Sequence, residues 1–419
     1  MRVLWFAPVD YFGGWSYHGG GWVAGLQSAL SKYSQIELGI AFPHTGPAMK
    51  KVTDSTTLYS LARKEKSGLQ KMLYYWYGYK NESNDSYLPA CLDIIRDFKP
   101  DIIQIFGIET DYSCLIGKTD VPHIVHLQGI LNPYANAYYP PGTSRHSLLW
   151  DKITLCEWVK RNGYNFMEKS IKEFTKAERF YFRHLKFAMG RTDWDCQMAT
   201  LLSPAELKYF HVDEVLRDVF YQMPFPNNPS LDKYVILTTM SPTFYKGLDV
   251  ILKSAQLLKE TTNINFEWRI IGVEKHNWVV QFFEKHCKID SSDVNVRFEG
   301  ICDSEKLCEH MLQSHVYVHP SYIDNSPNSL CEAQMAGLPV IGTYVGGISS
   351  LITHNDNGLL VPANAPFEIA YWLQYLHRHP EEIMRLGKAA RDTAMVRHAP
   401  EKIASEVLSV YHETIKNWK

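Results

Sequence analysis

The sequence predicts an α/β protein built from two doubly wound parallel sheets. Three observations carry this. Short apolar runs of strand length alternate with segments of helical period along almost the whole chain. The alternation breaks at Met223-Pro224-Phe225-Pro226-Asn227-Asn228-Pro229-Ser230, whose prolines and asparagines exclude a helix interior or a central strand. It then restarts, and 419 residues suffice for two or three domains of the usual ~100–200 residues. Strands joined through helices form parallel sheets covered on both faces. Two such sheets place a cleft at their strands' carboxyl ends, where open α/β sheets bind ligands.

The elements follow in order. Val3–Ala7 reads as a strand, and Gly13-Gly14 and Gly19-Gly20-Gly21 as a glycine-rich loop after it. Val23, Leu26 and Leu30 then share one helix face. Residues 36–42, 101–106 and 124–127 are further strands, 166–184 a charged amphipathic helix, and 187–190 a strand ending at glycine. Beyond the proline-rich break come strands at 235–239, 268–272, 296–298 and 316–319 and helices at 248–259 and 278–286. Pro327, Pro366 and Pro400 each open a helix. The one beginning at Pro400 buries Ile403, Val407, Val410 and Ile415.

Composition narrows the function classes. Hydrophobic residues make up 45% of the chain and charged residues 21%, which excludes wholesale disorder. Lys+Arg number 43 and Asp+Glu 45, a net charge of −2, so no general basic field holds nucleic acid. No run approaches the ~18 apolar residues of a membrane helix, and the apolar start is too short for a secretory signal. The eight cysteines are scattered without a C-x-x-C pair, consistent with reduced thiols in the cytoplasm. Aromatic residues reach 13%.

The most informative stretch runs from Ser321 to Val340. It follows a strand, and Pro327-Asn328-Ser329 is good chemistry for starting a helix, whose N-terminus suits phosphate. Asp324 precedes that helix and Glu332 lies inside it, so the two carboxylates have the separation to bind two sets of sugar hydroxyls. From spacing alone, a capped surface helix with incidental acids reads equally well. In Ser241–Val250, Lys246-Gly247 stands between a strand and a helix. Read alone, Lys246 is a solvated lysine at a helix start.

These segments resemble the E-x7-E region of retaining glycosyltransferases of family 4, which have the GT-B fold of two Rossmann-like domains facing a cleft. Pro327-Asn328-Ser329-Leu330-Cys331-Glu332-Ala333 is similar to P-N-S-L-L-E-A, and Met335-Ala336-Gly337-Leu338-Pro339-Val340 to M-A-x-G-x-P-V. Gly346-Gly347-Ile348, Asn357–Pro362, Val296–Gly300 and His319-Pro320-Ser321 match the flanking turns and strands. The resemblance implies an acceptor domain at residues 1–225, a donor domain at 230–399, and a segment 400–419 that packs back on the first. It implies that Glu332 binds the donor ribose, that Asp324, in place of the family's Glu, holds the donor sugar, and that Lys246 binds the diphosphate, where cleavage leaves negative charge. Gly20, Gly21, Gly272, Gly300, Pro327, Asn328, Ser329 and Leu330 would line the donor. The family's Arg before the Lys is replaced by Met240 or Ser241, which leaves Arg191 as a substitute cation. Gln128 occupies the place of a His near the reacting sugar, and His126 points to the same side of the strand. A satisfied buried histidine is the other reading of His126.

Asp193-Trp194-Asp195 matches a metal-binding Asp-x-Asp, but it sits in the family's G-R-S/T turn, where Asp193 reads as a helix cap. No metal and no cofactor are expected. Residues 49–80 and 160–191 mix cations with aromatics, among them Lys71, Tyr74, Trp76 and Arg179, and suit an anionic membrane or a polyprenyl-phosphate head group. A solvated helix face over an aromatic core is the plainer reading. The function expected is transfer of a hexosyl unit from a nucleoside diphosphate sugar to a glycan or lipid-linked glycan, without nucleic acid. The site would lie in the cytoplasm or at the inner face of the cell membrane. A same-fold nucleotide-sugar epimerase and an inactive carbohydrate-binding protein are the alternatives, and the missing G-x-G-x-x-G disfavours a nicotinamide oxidoreductase.

Overall fold

The computed structural model describes residues 1–14, 21–53, 56–62, 87–144, 164–204, 206–226 and 230–418. It divides into two units. The first comprises Met1–Ala135, Asn165–Arg217 and His398–Lys419, and the second Asn136–Tyr164 and Asp218–Arg397.

The first unit is built on β1 (Arg2–Phe6), β2 (Glu37–His44), β3 (Met49–Val52), β4 (Thr56–Ala62), β5 (Ile102–Phe106), β6 (His123–His126), β7 (Phe187–Gly190) and β8 (Lys208–His211). Their spatial order is β3-β4-β2-β1-β5-β6-β7-β8. Pairing is parallel except for the β3–β4 edge. The central strands are buried on both faces, so they read as nearly continuous apolar runs, broken in β5 only by Gln104. Helix Leu88–Phe98 shows why the covering helices form. Its Pro89 suits the first turn, and Cys91, Ile94, Ile95 and Phe98 fall on one buried face. Helix Pro400–Asn417 belongs to this unit and packs on helix Gly21–Ser31. It buries Ile403, Val407 and Val410 as expected, but Thr414 rather than Ile415 continues the buried face.

The second unit has β9 (Tyr234–Thr239), β10 (Phe266–Ile271), β11 (Val296–Gly300), β12 (Val316–His319), β13 (Val340–Thr343) and β14 (Leu359–Val361). Their order is β11-β10-β9-β12-β13-β14, all parallel. The chain builds outward from β9 to β11 and then crosses back to β12 on the other side. The β9–β12 junction is therefore a topological switch point.

The contact-based division departs from a boundary at 225/230. Residues 218–226 go with the second unit because Phe225 and Pro226 lie against Gly337, and Arg391 donates to the Met223 carbonyl. Residue 138 goes there too, with its tyrosine ring 6.3 Å from Phe244 and 6.1 Å from Tyr245. Among the described residues, no helix is long and apolar enough to cross a membrane.

Candidate active site

At the switch point of the second unit, the loops after β9 and β12 are tied together. Phe244 anchors the first loop, its buried ring 5.6 Å from Trp278 and 5.3 Å from both Phe282 and Phe283. The next turn brings Lys246 inward, and Gly247 (φ +78°) makes the left-handed step into helix Leu248–Thr261. A Cβ at Gly247 would stand 2.1 Å from the Pro320 carbonyl oxygen, so the close loop contact requires glycine. Tyr322 N–H donates to the Tyr245 carbonyl at 2.7 Å. The Tyr322 hydroxyl donates to Asp249 Oδ2 at 2.8 Å, which gives the Asp of Lys246-Gly247-Leu248-Asp249 its structural role.

This stitching brings Lys246 Nζ to 2.6 Å from Asp324 Oδ2. His319 Nε2 lies 2.8 Å from the same oxygen, and the Ser321 hydroxyl donates to it at 3.3 Å. Burial alone would raise the Asp324 carboxyl, but the Lys246 charge and the His319 hydrogen bond outweigh it and hold the group well below the usual carboxylate range. Burial pushes the Lys246 ammonium down, and the facing Asp324 charge reverses this to a net rise. His319 is pushed down by burial against the pull of Asp324, so its imidazole is neutral at pH 7. Gly346 (φ +52°) backs the loop, where a Cβ would meet the Asp324 carbonyl at 1.8 Å, and Gly347 N–H donates to that carbonyl at 3.0 Å.

Helix Asn328–Met335 begins beside this cluster. Pro327 stands at its N-cap and has no side-chain group with which to cap it. The Tyr317 hydroxyl bonds with Thr239 and Ser329 and is pushed up to about 12 by burial, so it stays protonated. Glu332 is buried inside the helix. Gly272 (φ +98°) and Gly300 (φ +74°) follow and end the neighbouring strands, with Gly272 N–H donating to the Gly300 carbonyl at 2.7 Å. Gly272 also needs its missing Cβ, which would lie 2.5 Å from the Met240 carbonyl.

The first unit has its own cluster at the carboxyl ends of β5, β6 and β7. His126 is 1% exposed, with Trp22 at 4.9 Å and Phe106 at 5.8 Å between ring centroids. Gln104 Nε2 lies 3.2 Å from Nδ1, while the Gln104 carbonyl oxygen accepts from the Tyr411 hydroxyl. Gln104 therefore donates to Nδ1, and the imidazole proton sits on Nε2, a buried atom without a partner. Burial, helped by the Arg191 charge, pushes His126 down to about 3, so it is a neutral donor. Arg191 stands 5.5 Å from the Trp22 ring and donates to the Gln128 carbonyl at 3.0 Å. Gly21 is buried at the start of helix Gly21–Ser31.

The structure brings Lys246 and Asp324 into direct contact, where the sequence suggested separate ligand roles. Asp193 is not the cap of helix Asp193–Leu202. Thr192 is, because its extended backbone (φ −140°, ψ 157°) turns its hydroxyl onto Asp195 N–H. Asp195 Oδ2 instead accepts from Arg191 N–H at 2.9 Å. Arg179 donates to Asn132 Oδ1 at 2.6 Å and so is tied to its own unit. Gly20, Lys71, Tyr74 and Trp76 lie outside the described residues. Sequence reasoning gave His319 and Tyr317 no role, although both fall in the strand before the Ser321 loop, on one side of it. It also passed over Glu109, whose Oε2 is buried without a partner. Burial, with a contribution from Glu178, pushes this carboxyl up to about 8.

Comparison with known proteins finds a likeness in the second unit. Residues 221–393 match the family model described as Glycosyl transferases group 1. A D-inositol 3-phosphate glycosyltransferase of Streptomyces bingchenggensis is 32% identical over 132 residues, 32% of this chain and 29% of that protein. The amylovoran biosynthesis glycosyltransferase AmsK of Erwinia amylovora is 26% identical over 186 residues, 41% of this chain and 44% of that one. The chain thus spans less than half the length of these curated relatives. The fold likeness is wider. Sucrose-phosphate synthase of Thermosynechococcus elongatus superposes over 99% of both chains with a TM-score of 0.74 at 14% identity. WaaG, a glycosyltransferase involved in lipopolysaccharide biosynthesis, does so over 97% of this chain and 99% of that one, with a TM-score of 0.65 at 15% identity. The architecture is the GT-B fold: two parallel-sheet α/β domains.

Proposed function

We propose that the chain is a metal-independent, retaining glycosyltransferase of family 4. It moves a hexosyl unit from a nucleoside diphosphate sugar to a glycan or lipid-linked glycan in surface polysaccharide biosynthesis. The observation that carries this is the meeting of Lys246, Asp324 and the opening of helix Asn328–Met335 at the switch point of the unit that matches the group 1 family model. The bond from the sugar's anomeric carbon to the diphosphate breaks, and a bond from that carbon to an acceptor oxygen forms on the same face. The acceptor's proton passes to the leaving phosphate. Lys246 and the helix N-terminus stabilise the charge that develops there. Glu332 holds the ribose. His126, a neutral N–H donor, binds a sugar hydroxyl.

Crystals of a structural relative, Anabaena HepE, hold UDP and glucose, which supports uridine nucleotides as the first donors to test. AmsK and WaaG support a surface-glycan acceptor. Work at the cytoplasmic membrane face, through the basic and aromatic residues of 49–80 and 160–191, belongs to the same proposal. The test is a thermal-shift panel of nucleotide sugars followed by mass-spectrometric transfer assays. Lys246→Ala should raise the barrier by roughly 2–4 kcal/mol. Unchanged turnover at saturating donor would remove Lys246 from this role.

A further inference from the structure

Asp324 commits one carboxylate oxygen to the protein itself. Its Oδ2 already receives Lys246 Nζ at 2.6 Å, His319 Nε2 at 2.8 Å and the Ser321 hydroxyl at 3.3 Å. Three donors converge on an oxygen with two lone pairs, so Oδ2 is committed to Lys246 and its neighbours, while Oδ1 accepts from Asn325 N–H at 3.2 Å. The loop cannot easily swing outward, because the Tyr322 N–H and hydroxyl bonds, Gly247 and Gly346 pin it on both sides.

Lys246 presents the complementary need. Its side chain is 16% exposed, and a buried ammonium is costly without a counter-charge. Asp324, His319, Tyr245 and Tyr317 are the titratable groups that act on or beside it. Both tyrosines are raised by burial and the histidine is lowered, so all three are neutral at pH 7. Among the described residues that face Lys246, Asp324 alone supplies negative charge.

We propose that Asp324 is a positioning residue for Lys246: it keeps the buried amine charged and aimed at the leaving diphosphate. This rests on the nucleotide-sugar reading above. Without the carboxylate, burial would lower the Lys246 pKa, and the amine would lose its proton as pH rises.

The test is calorimetric binding of UDP, ADP and GDP, which carry no sugar, to the full chain from about pH 7 to about pH 9. Wild type should bind at least one of them with nearly constant affinity. Asp324→Asn should weaken on the order of tenfold across that range, the scale of one charge-assisted contact. Asp324→Ser, a different shape without charge, should behave alike if the amide is not tolerated. Asp324→Glu restores the anion and should flatten the profile. Lys246→Met combined with Asp324→Asn leaves no amine to titrate and should flatten it too. A flat profile with unchanged diphosphate affinity for both Asp324→Asn and Asp324→Ser overturns the proposal. If wild type binds none of the three diphosphates, the nucleotide-sugar reading fails as well.

Discussion

Tyr322→Phe isolates one of the bonds that tie the Ser321 loop to the segment after β9. The hydroxyl donates to Asp249 Oδ2 at 2.8 Å and lies 3.2 Å from Asn364 Oδ1. Asp249 is 1% exposed, and its Oδ1 is buried without a partner. After the substitution, Lys253 Nζ, 3.1 Å from Oδ2, remains to support the carboxylate. The ring stays, so little apolar burial is lost. The cost is that of a hydrogen bond to a buried charge, ~1.5–3 kcal/mol. At ~2–4 °C per kcal/mol for a domain of this size, the melting point of the second unit should drop by roughly 3–12 °C. Two units need not unfold together, so hydrogen exchange read segment by segment is the right assay. Protection should fall around 244–250 and 320–327 and hold in β1 and β5. A loss below ~0.5 kcal/mol, or one shared equally by both units, would refute the view that this hydroxyl ties the loops together.

Glu109→Gln tests the buried acid of the first unit. A carboxyl pushed up to about 8 keeps its proton in the folded chain while the unfolded chain releases it near pH 4.5, so stability falls as pH rises between those values. The fixed neutral amide should remove that fall, stabilising the first unit by on the order of a few kcal/mol at pH 8 and by nothing near pH 4.5. Denaturation curves that differ equally at both pH values would contradict it. Gly247→Ala should cost at least ~1–2 kcal/mol for the left-handed backbone alone. The overlap with Pro320, 2.1 Å from the new Cβ, should add to this and displace the Asp324 loop. Wild-type stability in urea would exclude that strain.

Legibility in the sequence tracked burial. β1, β5, β7, β9 and β12 are almost wholly buried and mostly apolar, and they announced themselves. β3, Met49-Lys50-Lys51-Val52, is exposed at all four residues and reads as part of a basic patch. It is an edge strand, where lysines discourage further pairing. Lys246, Asp324 and Glu332 stood out through their motifs. The contact between Lys246 and Asp324 did not, because it depends on β12 returning beside β9, which no local pattern encodes. Thr192 and Asp193 are both good caps, and only the backbone angles choose between them. Glu109 left no signal, since an acid after a strand reads as an ordinary loop residue.

The division of the chain also shapes its synthesis. The second unit is complete, in chain order, at Arg397, whereas the first still lacks Pro400–Asn417. That segment supplies Tyr411, which accepts from Trp5 Nε1 at 3.0 Å and donates to Gln104 in the middle of the first sheet. A nascent chain therefore holds β1 without the Tyr411 partner of its indole N–H until helix Pro400–Asn417 has emerged from the ribosome. A stop just before Pro400 would injure the first unit while sparing the second.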